Sequence, residues 1–261
     1  MTSESTIVIG LLLPEVLGTY SDAGNATVLA QRASWRGIPA EILILSADAT
    51  PPASCDIYLL GGGENTAQLF AADWLRRHTQ LRHALDTRAQ TLAVCAGLQI
   101  LGQSMRDRSG HHHPGLGLLD VSTAPGRHRA VGEIITSCVI PGTGQLIGFE
   151  NHRGLTTVGH GTDRLATVLT GTGNGTTDQA GRRTEGVHTE RVIGTYLHGP
   201  VLARNPALAD HILRTVVGND LTPLDELPDQ TALRRTYLGP PATRRRIHIR
   251  RRLPKRLTHQ G

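Results

Sequence analysis

One cysteine stands where a strand pattern meets a helix pattern. In "TLAVCAGLQILG" (residues 91–102), Cys95 ends an apolar run, and the small residues Ala96 and Gly97 lead into a second apolar run. This order predicts a strand, a sharp turn and a helix, a geometry that exposes a nucleophile at the carboxyl edge of a sheet. The start of a helix also favours a thiolate. Most cysteines at strand ends are packed, inert thiols, so a catalytic role for Cys95 requires partner groups.

A thiolate that attacks an amide needs donors for the developing oxyanion. The stretch "YLLGGGENTAQ" leads a buried strand pattern into three glycines, Gly61 to Gly63, and then into a helix pattern. Backbone N–H groups in such a loop can turn toward an oxyanion. The alternative is a plain strand-to-helix turn. Nucleotide binding is unsupported because the P-loop lysine is absent and GxGxxG is not matched.

A general base is the second requirement, and two of the 13 histidines are candidates. His198 ends the buried-strand pattern "RVIGTYLHGP", so it would lie at the edge of a central strand. His152, in "GFENHRG", is the competitor, and spacing alone does not choose between them. The triplet at residues 111–113 lies in a polar stretch bounded by glycine and proline, which predicts a solvated loop rather than a metal site.

The elements that must position these residues follow an alternating pattern. Six short runs rich in Val, Ile and Leu predict buried strands: "TIVIGLLL", "AEILIL", "CDIYLL", "TLAVCAG", "GEIITSCVI" and "RVIGTYL". Helical patterns lie between several of them, including "AGNATVLAQRASWRG" and "NTAQLFAADWLRRHTQLRHALD", and "ALADHILRTVVG" predicts a last helix. The alternation predicts an α/β fold with a mostly parallel sheet and helices on both faces.

Composition limits the cellular setting. The 261 residues suffice for one large α/β domain, and the three cysteines, with no CxxC pair, argue against a disulfide framework and for a reducing, intracellular location. No apolar run approaches the roughly 20 residues of a membrane helix. The apolar stretch near the N-terminus is preceded by Glu4, without a basic residue, and meets Pro14, so we interpret it as a first strand and not a signal peptide.

The positive charge is confined to the C-terminal end. Residues 230–261 contain ten Lys or Arg and no acid, whereas the other 229 residues hold 17 basic and 22 acidic side chains. We therefore predict one domain at 1–219 and a basic, flexible tail at 220–261. A non-catalytic module that binds nucleic acid through this tail is a rival, but 3% aromatic residues leave no stacking platform. We expect the segment from about residue 234 to 256 to contact an anionic membrane surface instead.

Several motifs together resemble a known enzyme family. The segments "GGGEN", "CAGLQILG", "GFENH" and "GTYLHGPVLARNP" resemble class I glutamine amidotransferases, most closely the cobyric-acid-synthase-like branch. The segment "LGTYSDAGNATVLAQRASWRG" is similar to the "YGDRGN"-type motif of glutaminase subunits that serve lipid II amidation. The resemblance runs from about residue 7 to 216 and leaves out the tail. It implies a flavodoxin-like, class I amidotransferase fold.

The resemblance also implies roles for the reactive residues. Cys95 would be the nucleophile, and His198 the general base and acid. The N–H of Ala96 and the backbone of Gly62 and Gly63 would form the oxyanion hole. Many class I enzymes carry a glutamate two residues after the histidine, a position held here by a proline, as in the cobyric-acid-synthase branch. A Cys–His dyad is therefore the expected arrangement.

Two further residues would bind the substrate. On the same resemblance, Gln99 faces the glutamine from the helix after the nucleophile. Arg129, in "HRAVGEI", matches a substrate-binding arginine, and its planar fork suits an α-carboxylate. Without the resemblance, Arg129 reads as a solvent-facing residue at the start of a strand. The resemblance implies no metal.

The implied activity is that of a glutaminase subunit in a heterodimer. It would hydrolyse L-glutamine and pass ammonia to a MurT-like Mur ligase subunit, which amidates the D-glutamate of lipid II to D-isoglutamine in peptidoglycan synthesis. The chain has no GKS or GKT loop, so we expect ATP and magnesium on the partner and no cofactor here. A subunit for another acceptor, such as a corrinoid carboxylate, is the alternative. We expect a cytoplasmic protein, peripheral at the inner membrane surface through its tail.

Overall fold

Two β-sheets and their covering helices make up the computed structural model, which describes residues 6–18, 23–52, 54–218, 221–225 and 227–238. The strands are β1 (Ile7–Leu12), β2 (Ala40–Leu45), β3 (Ile57–Leu60), β4 (Gln90–Val94), β5 (Ser104–Arg106), β6 (His112–Pro114), β7 (Val121–Cys138), β8 (Gln145–Val158), β9 (Ala166–Thr170), β10 (Thr184–Glu185), β11 (Val187–His188) and β12 (Val192–Thr195). The helices are α1 (Pro14–Leu17), α2 (Ala23–Ser34), α3 (Asn65–Arg77), α4 (Thr79–Thr87), α5 (Ala96–Leu101), α6 (Val201–Arg204), α7 (Pro206–Val217) and α8 (Pro228–Leu238).

The first sheet is the predicted one. Its strand order is β11-β12-β4-β3-β1-β2, and all neighbours are parallel except β11, which runs antiparallel to β12 at one edge. Five of the six apolar runs form its parallel strands. A strand covered on both faces must be apolar on both faces, as β1, β3, β4 and β12 are, whereas the edge strand β2 leaves Ile42, Leu43 and Ile44 exposed. Helices α2, α6 and α7 pack together in one group, and α1, α3, α4 and α5 in another, so the sheet has helices on both sides. This confirms the predicted α/β fold class.

The centre of this sheet brings three loops to one edge. Strand β4 lies between β3 and β12, with Ala93 beside Leu60 and Val94 beside Thr195. Because all three strands are parallel, the glycine loop after β3, Cys95 after β4 and His198 after β12 emerge at the same carboxyl edge. Ligands of open α/β sheets bind at this edge.

The second sheet was not predicted. It has the order β10-β9-β7-β5-β6, with β8 paired to β7, and its pairs are antiparallel apart from β5 with β7. The run "GEIITSCVI" belongs to β7 here and not to the parallel sheet. The triplet at 111–113 was also misjudged as a loop, because His112 and His113 lie in β6. An isolated bridge between Phe149 of β8 and His198 joins this sheet to the first.

The segment predicted as a flexible tail begins with a docked helix. In α8, Arg234 donates hydrogen bonds to the carbonyl oxygens of Arg204 and Gln145, and Gln230 donates one to that of Ala203. Residues 228–238 thus form a helix that contacts the domain, whereas the domain boundary at 219 and the flexibility of the tail stay predictions. The residues from 239 onward, which hold most of the predicted membrane contact, lie outside the described residues. None of the helices described is both long and apolar enough to cross a bilayer.

Candidate active site

Cys95 occupies a strained turn between β4 and α5. Its φ of 54° and ψ of −103° are unusual for a residue with a side chain, and such a conformation costs on the order of 1–3 kcal/mol. Two backbone bonds hold the turn: the N–H of Cys95 donates to the carbonyl of Thr195 at 2.8 Å, and the N–H of Gln99 donates to that of Cys95 at 3.2 Å. The predicted elbow is therefore present, with the cysteine 7% exposed at its tip.

Gly97 explains how close the elbow lies to the glycine loop. A Cβ on Gly97 would stand 2.7 Å from the Cβ and 2.8 Å from the carbonyl oxygen of Leu60, so only glycine fits here. The N–H of Gly97 donates to the carbonyl of Gly61 at 3.1 Å. The predicted oxyanion donors, Gly62, Gly63 and Ala96, thus belong to two segments that are hydrogen-bonded to each other beside Cys95.

His198 follows β12 and is 2% exposed. Its N–H donates to the carbonyl of Phe149 at 2.9 Å, and its Nδ1 lies 3.0 Å from the same oxygen. Since a carbonyl only accepts, Nδ1 carries the ring proton and Nε2 is the basic nitrogen. Burial lowers the pKa of His198 to about 4, so the ring is neutral at pH 7 and able to accept a proton.

His152 also lies close to this region, within β8. It lines the same cavity as Cys95, its ring stacks on that of Tyr196 at 3.9 Å between centroids, and its Nε2 is 3.7 Å from Glu150. Its Nδ1 is 3.1 Å from the carbonyl of Gly154. Both histidines predicted as candidate bases are therefore near the elbow. His198 follows the strand beside that of Cys95, whereas His152 belongs to the opposite wall.

The second sheet supplies that opposite wall. Pairing of β7 with β8 jumps from Pro125–Gly154 to Ala130–His152, so residues 126–129 bulge out opposite the single residue Arg153. This bulge carries Arg129, whose Nε donates to Asn151 at 2.6 Å. The cavity between the two walls is lined by Gly63, Glu64, Asn65, Gln68, Cys95, Gln99, Met105, Arg106, Asp107, Arg108, Thr123, Ala124, Pro125, Arg129, Asn151, His152, Arg153 and Gly154.

The predicted site residues fall into two groups: those that line the cavity and those that are buried beside it. Cys95, Gln99, Gly63 and Arg129 line one cavity, although Cys95 and Arg129 are 34 positions apart and come from different sheets. Gly62, Ala96 and His198 are buried and are not among its lining residues. A thiol facing a cavity that also presents an arginine fork can meet a substrate with an electrophilic carbon and a carboxylate.

Comparison with known proteins assigns the family. Residues 8–206 match the CobB/CobQ-like glutamine amidotransferase domain. The chain belongs to this family. It is 36% identical over 203 residues to the lipid II isoglutaminyl synthase (glutamine-hydrolyzing) subunit GatD of Staphylococcus aureus (strain N315), covering 77% of this chain and 80% of that protein. It is 33% identical over 213 residues to the subunit of the same name from Streptococcus pneumoniae (strain ATCC BAA-255 / R6), covering 80% of each.

Comparison with solved structures points to the same fold. A crystal structure of a glutamine amidotransferase superimposes with a TM-score of 0.54 at 18% identity, covering 81% of this chain and 99% of the other. At that identity the likeness concerns the fold alone. It agrees with the observed parallel sheet and its helices.

Gln99 in this amidotransferase is held by a buried polar network. Its Oε1 accepts a hydrogen bond from Gln68 at 2.5 Å, and its Nε2 donates to the hydroxyl of Tyr196 at 2.9 Å. That hydroxyl is 2.6 Å from the Oγ1 of Thr156. Burial, and to a smaller extent the proximity of Cys95, raise the pKa of Tyr196 well above its ordinary value. The network fixes the amide of Gln99 in the cavity, where sequence reasoning had anticipated Gln99 but neither of its partners.

Two buried carboxylates support the walls, and neither had an assigned role. Burial opposes ionisation of Glu150, but the nearby ring of His152 and hydrogen bonds from the N–H groups of Gly173 and Thr172 lower its pKa overall. Burial raises the pKa of Glu185 to about 7, and this side chain accepts hydrogen bonds from the Thr195 hydroxyl and the Tyr196 N–H. No spacing signal in the sequence links Glu185 to the strand end that precedes His198.

The N-terminal motif packs behind His198. A Cβ on Gly24 would be 2.3 Å from Pro200, and the side-chain oxygen of the buried Asn25 accepts a hydrogen bond from the N–H of Leu202 at 3.0 Å. The preceding motif residues, 20–22, are outside the described part of the chain. Among the residues that the structure describes, no group of three or more His, Cys, Asp or Glu side chains is placed to hold a metal.

Proposed function

We propose that this amidotransferase is the glutaminase subunit of a lipid II isoglutaminyl synthase, with Cys95 and His198 as its dyad. The observation that carries the proposal is the strained elbow that presents Cys95 to the cavity containing Arg129. Similarity to two GatD subunits over about four-fifths of their length supports the choice of lipid II as the final acceptor.

The proposed reaction needs two half-steps. Nε2 of His198 takes the proton from the Cys95 thiol as the sulfur attacks the side-chain amide carbon of glutamine. The N–H groups of Ala96, Gly62 and Gly63 stabilise the oxyanion, and His198 returns the proton to the departing ammonia, leaving a thioester. Water, deprotonated by His198, then cleaves the thioester to glutamate and restores the thiol.

Binding of glutamine would use the wall opposite the elbow. The guanidinium of Arg129, oriented through Nε by Asn151, would pair with the α-carboxylate. Gln99 would contact the substrate from the floor. Its amide is already oriented by Gln68 and Tyr196, so little rotamer freedom is lost on binding.

The ammonia would be consumed by a second polypeptide. We infer a MurT-like Mur ligase as the partner in a heterodimer, carrying the ATP and magnesium that activate the D-glutamate carboxylate. This chain itself would need no cofactor, since thiol and imidazole suffice for amide hydrolysis.

The experiment is an assay of two products. The purified chain, alone and with the Mur-ligase-like subunit of its host, is given glutamine, ATP, magnesium and lipid II, and glutamate and amidated lipid II are both measured. We expect glutamate release that depends on Cys95, and amidation only with the partner. Glutamate release without amidation of lipid II, but with amidation of a corrinoid acid, would refute the acceptor and keep the glutaminase. If no glutamate is released either by the chain alone or by the chain with its partner, both the glutaminase activity and the lipid II acceptor would be refuted.

A further inference from the structure

The ring of His198 is oriented by a backbone oxygen. The position two residues on, where a triad glutamate would stand, is Pro200. The carbonyl of Phe149 accepts from both the N–H and Nδ1 of His198, at 2.9 Å and 3.0 Å, while the N–H of Phe149 donates to the carbonyl of His198 at 3.3 Å. The tautomer with a basic Nε2 therefore depends in part on where β8 places the carbonyl of Phe149, which is the larger of the ring's two backbone interactions, the other being with Tyr196.

A buried asparagine fixes that part of β8. The side chain of Asn205, 1% exposed, accepts from the N–H of Ile147 at 2.9 Å and donates to its carbonyl at 2.8 Å. It also donates to the carbonyl of Val201, in α6, at 2.8 Å. The Asn205 side chain thus makes the two backbone hydrogen bonds that a neighbouring strand would make to Ile147, two residues before Phe149. It also connects β8 to α6, the helix that follows His198.

The helix α8 holds the same junction from outside. Arg234 donates to the carbonyls of Arg204 at 2.5 Å and Gln145 at 2.8 Å, and to the Oδ1 of Asn205 at 3.0 Å. One guanidinium therefore contacts the end of α6, the start of β8 and the asparagine between them. Its planar fork can reach several acceptors at once, which an ammonium cannot. This helix lies beyond residues 8–206, the part that matches the family.

We propose that Asn205 and Arg234 are positioning residues for His198, acting through β8 and the carbonyl of Phe149. The proposal rests on the proposed function, which makes His198 the base. Both residues keep the Nδ1 of His198 protonated and its Nε2 available to Cys95. The helix α8 is thereby part of the glutaminase, although it stands outside the family's domain.

The test compares turnover with the tautomer of His198 in the full chain. Kinetics are measured with the ligase subunit present, for Asn205→Ala, Arg234→Ala and Arg234→Lys. The exposed neighbour on α8 provides a matched control, Arg235→Ala. The tautomer is read from ¹⁵N-histidine spectra at neutral pH, with the His198 signal assigned by its loss in His198→Ala.

We expect the wild type to show the Nδ1–H tautomer. A displacement of about 1 Å at a reacting group costs up to about 100-fold in rate, so kcat should fall about 10- to 100-fold in Asn205→Ala and about 10-fold in Arg234→Ala. KM for glutamine should change less than kcat, because Arg129 itself lies on β7 and only its partner Asn151 belongs to β8. The His198 signal should shift toward mixed tautomers, Arg234→Lys should recover part of kcat, and Arg235→Ala should match the wild type.

Two outcomes would overturn the positioning role. One is unchanged kcat and an unchanged Nδ1–H signal in Arg234→Ala, which alters a surface helix and keeps the test valid even if Asn205→Ala fails to fold. The other is a loss of activity with the tautomer intact, which would indicate a purely structural role. Full turnover by His198→Ala would instead contradict the proposed function, because His198 would then not be the base. The tautomer shifts in the other variants would still show whether Asn205 and Arg234 position its ring.

Discussion

At the scale of single residues, the elbow makes Cys95 replaceable in structure but not in chemistry. Cys95→Ala should fold and release no glutamate, because the turn accepts a small side chain and the nucleophile is gone. Cys95→Gly should be inactive too, yet more stable than Cys95→Ala by up to about 2 kcal/mol, since glycine avoids a strain of about 1–3 kcal/mol at a φ of 54° and loses about 0.5–1 kcal/mol more in conformational entropy. Glutamate release and urea unfolding measure the two effects.

The other two cysteines are the controls for that prediction. Burial raises the pKa of Cys55 and that of Cys138, so both remain thiols at neutral pH. Cys55→Ser and Cys138→Ser should therefore keep glutaminase activity. Full turnover by Cys95→Ala would eliminate the covalent mechanism.

Arg129 should act on substrate binding rather than on turnover. Removing a charge-assisted, bidentate pair costs roughly 1.5–3 kcal/mol, so Arg129→Ala should raise KM about 10- to 150-fold with a smaller change in kcat. Arg129→Lys should rescue only in part, because an ammonium lacks the planar fork. Arg127→Ala alters an exposed side chain of the same bulge and should change neither constant. An unchanged KM in Arg129→Ala would return this residue to a solvated surface charge.

The two candidate bases can be separated by rate and by pH. Loss of a general base typically costs 10²–10⁴ in rate, which we expect for His198→Ala, with a smaller loss for His152→Ala. The base works in its neutral form, so a lower pKa of the base extends activity to lower pH. With the pKa of His198 at about 4, the acid limb of kcat/KM should fall well below the ordinary 6.5. A limb at 6.5 or above would contradict the low pKa of His198, and a larger loss in His152→Ala would favour His152 as the base.

At the scale of elements, sequence patterns were informative where a strand is buried on both faces. The runs that form β1, β3, β4 and β12 are buried and rich in Val, Ile and Leu, and such runs are distinctive; the exposed edge strand β2 was found by the same apolar pattern. Only the second half of β7, in "GEIITSCVI", was predicted as a strand. The first half of β7 and the whole of β8 were not, because they are half-exposed and contain glycine, proline or arginine where they line a polar cavity. Periodicity cannot show a bulge, so the position of Arg129 opposite Cys95 had to come from the resemblance.

The packing of α5 on β3 gives a prediction at this scale. Gly97→Ala should destabilise the fold by about 1–3 kcal/mol, because the added methyl overlaps Leu60 backbone and side chain. It should also lower kcat, since α5 can only relieve the overlap by moving the turn at Cys95. Thermal unfolding and glutamate release test both effects, with the exposed Gln103→Ala as control. Wild-type stability in Gly97→Ala would mean that the elbow is looser than this packing implies.

At the scale of the whole molecule, a mildly acidic body carries a basic end. The sequence alone located that charge, but not the helix α8 that anchors its first part, because "TALRRTYL" is polar and has no apolar face to signal docking. Arg234 is bound to carbonyl groups of the body, so it is not one of the charges available to an outside partner. The eight basic residues from 244 to 256 lie beyond the described residues and carry the remaining prediction.

We expect those eight residues to recruit the protein to an anionic membrane, where lipid-anchored precursors are found if the acceptor is lipid II. Each Lys or Arg near such a surface contributes about 1 kcal/mol, so engagement of half of them would strengthen binding about 10³-fold, an effect that salt should weaken. The measurement is co-sedimentation with vesicles of increasing anionic lipid content, for the full chain and for a chain ending at Gly239. The shorter chain keeps α8, so its body should be intact and its glutaminase unchanged. Equal binding by both chains would refute membrane recruitment, and tight binding of duplex DNA by the full chain at physiological salt would favour a nucleic-acid arm instead.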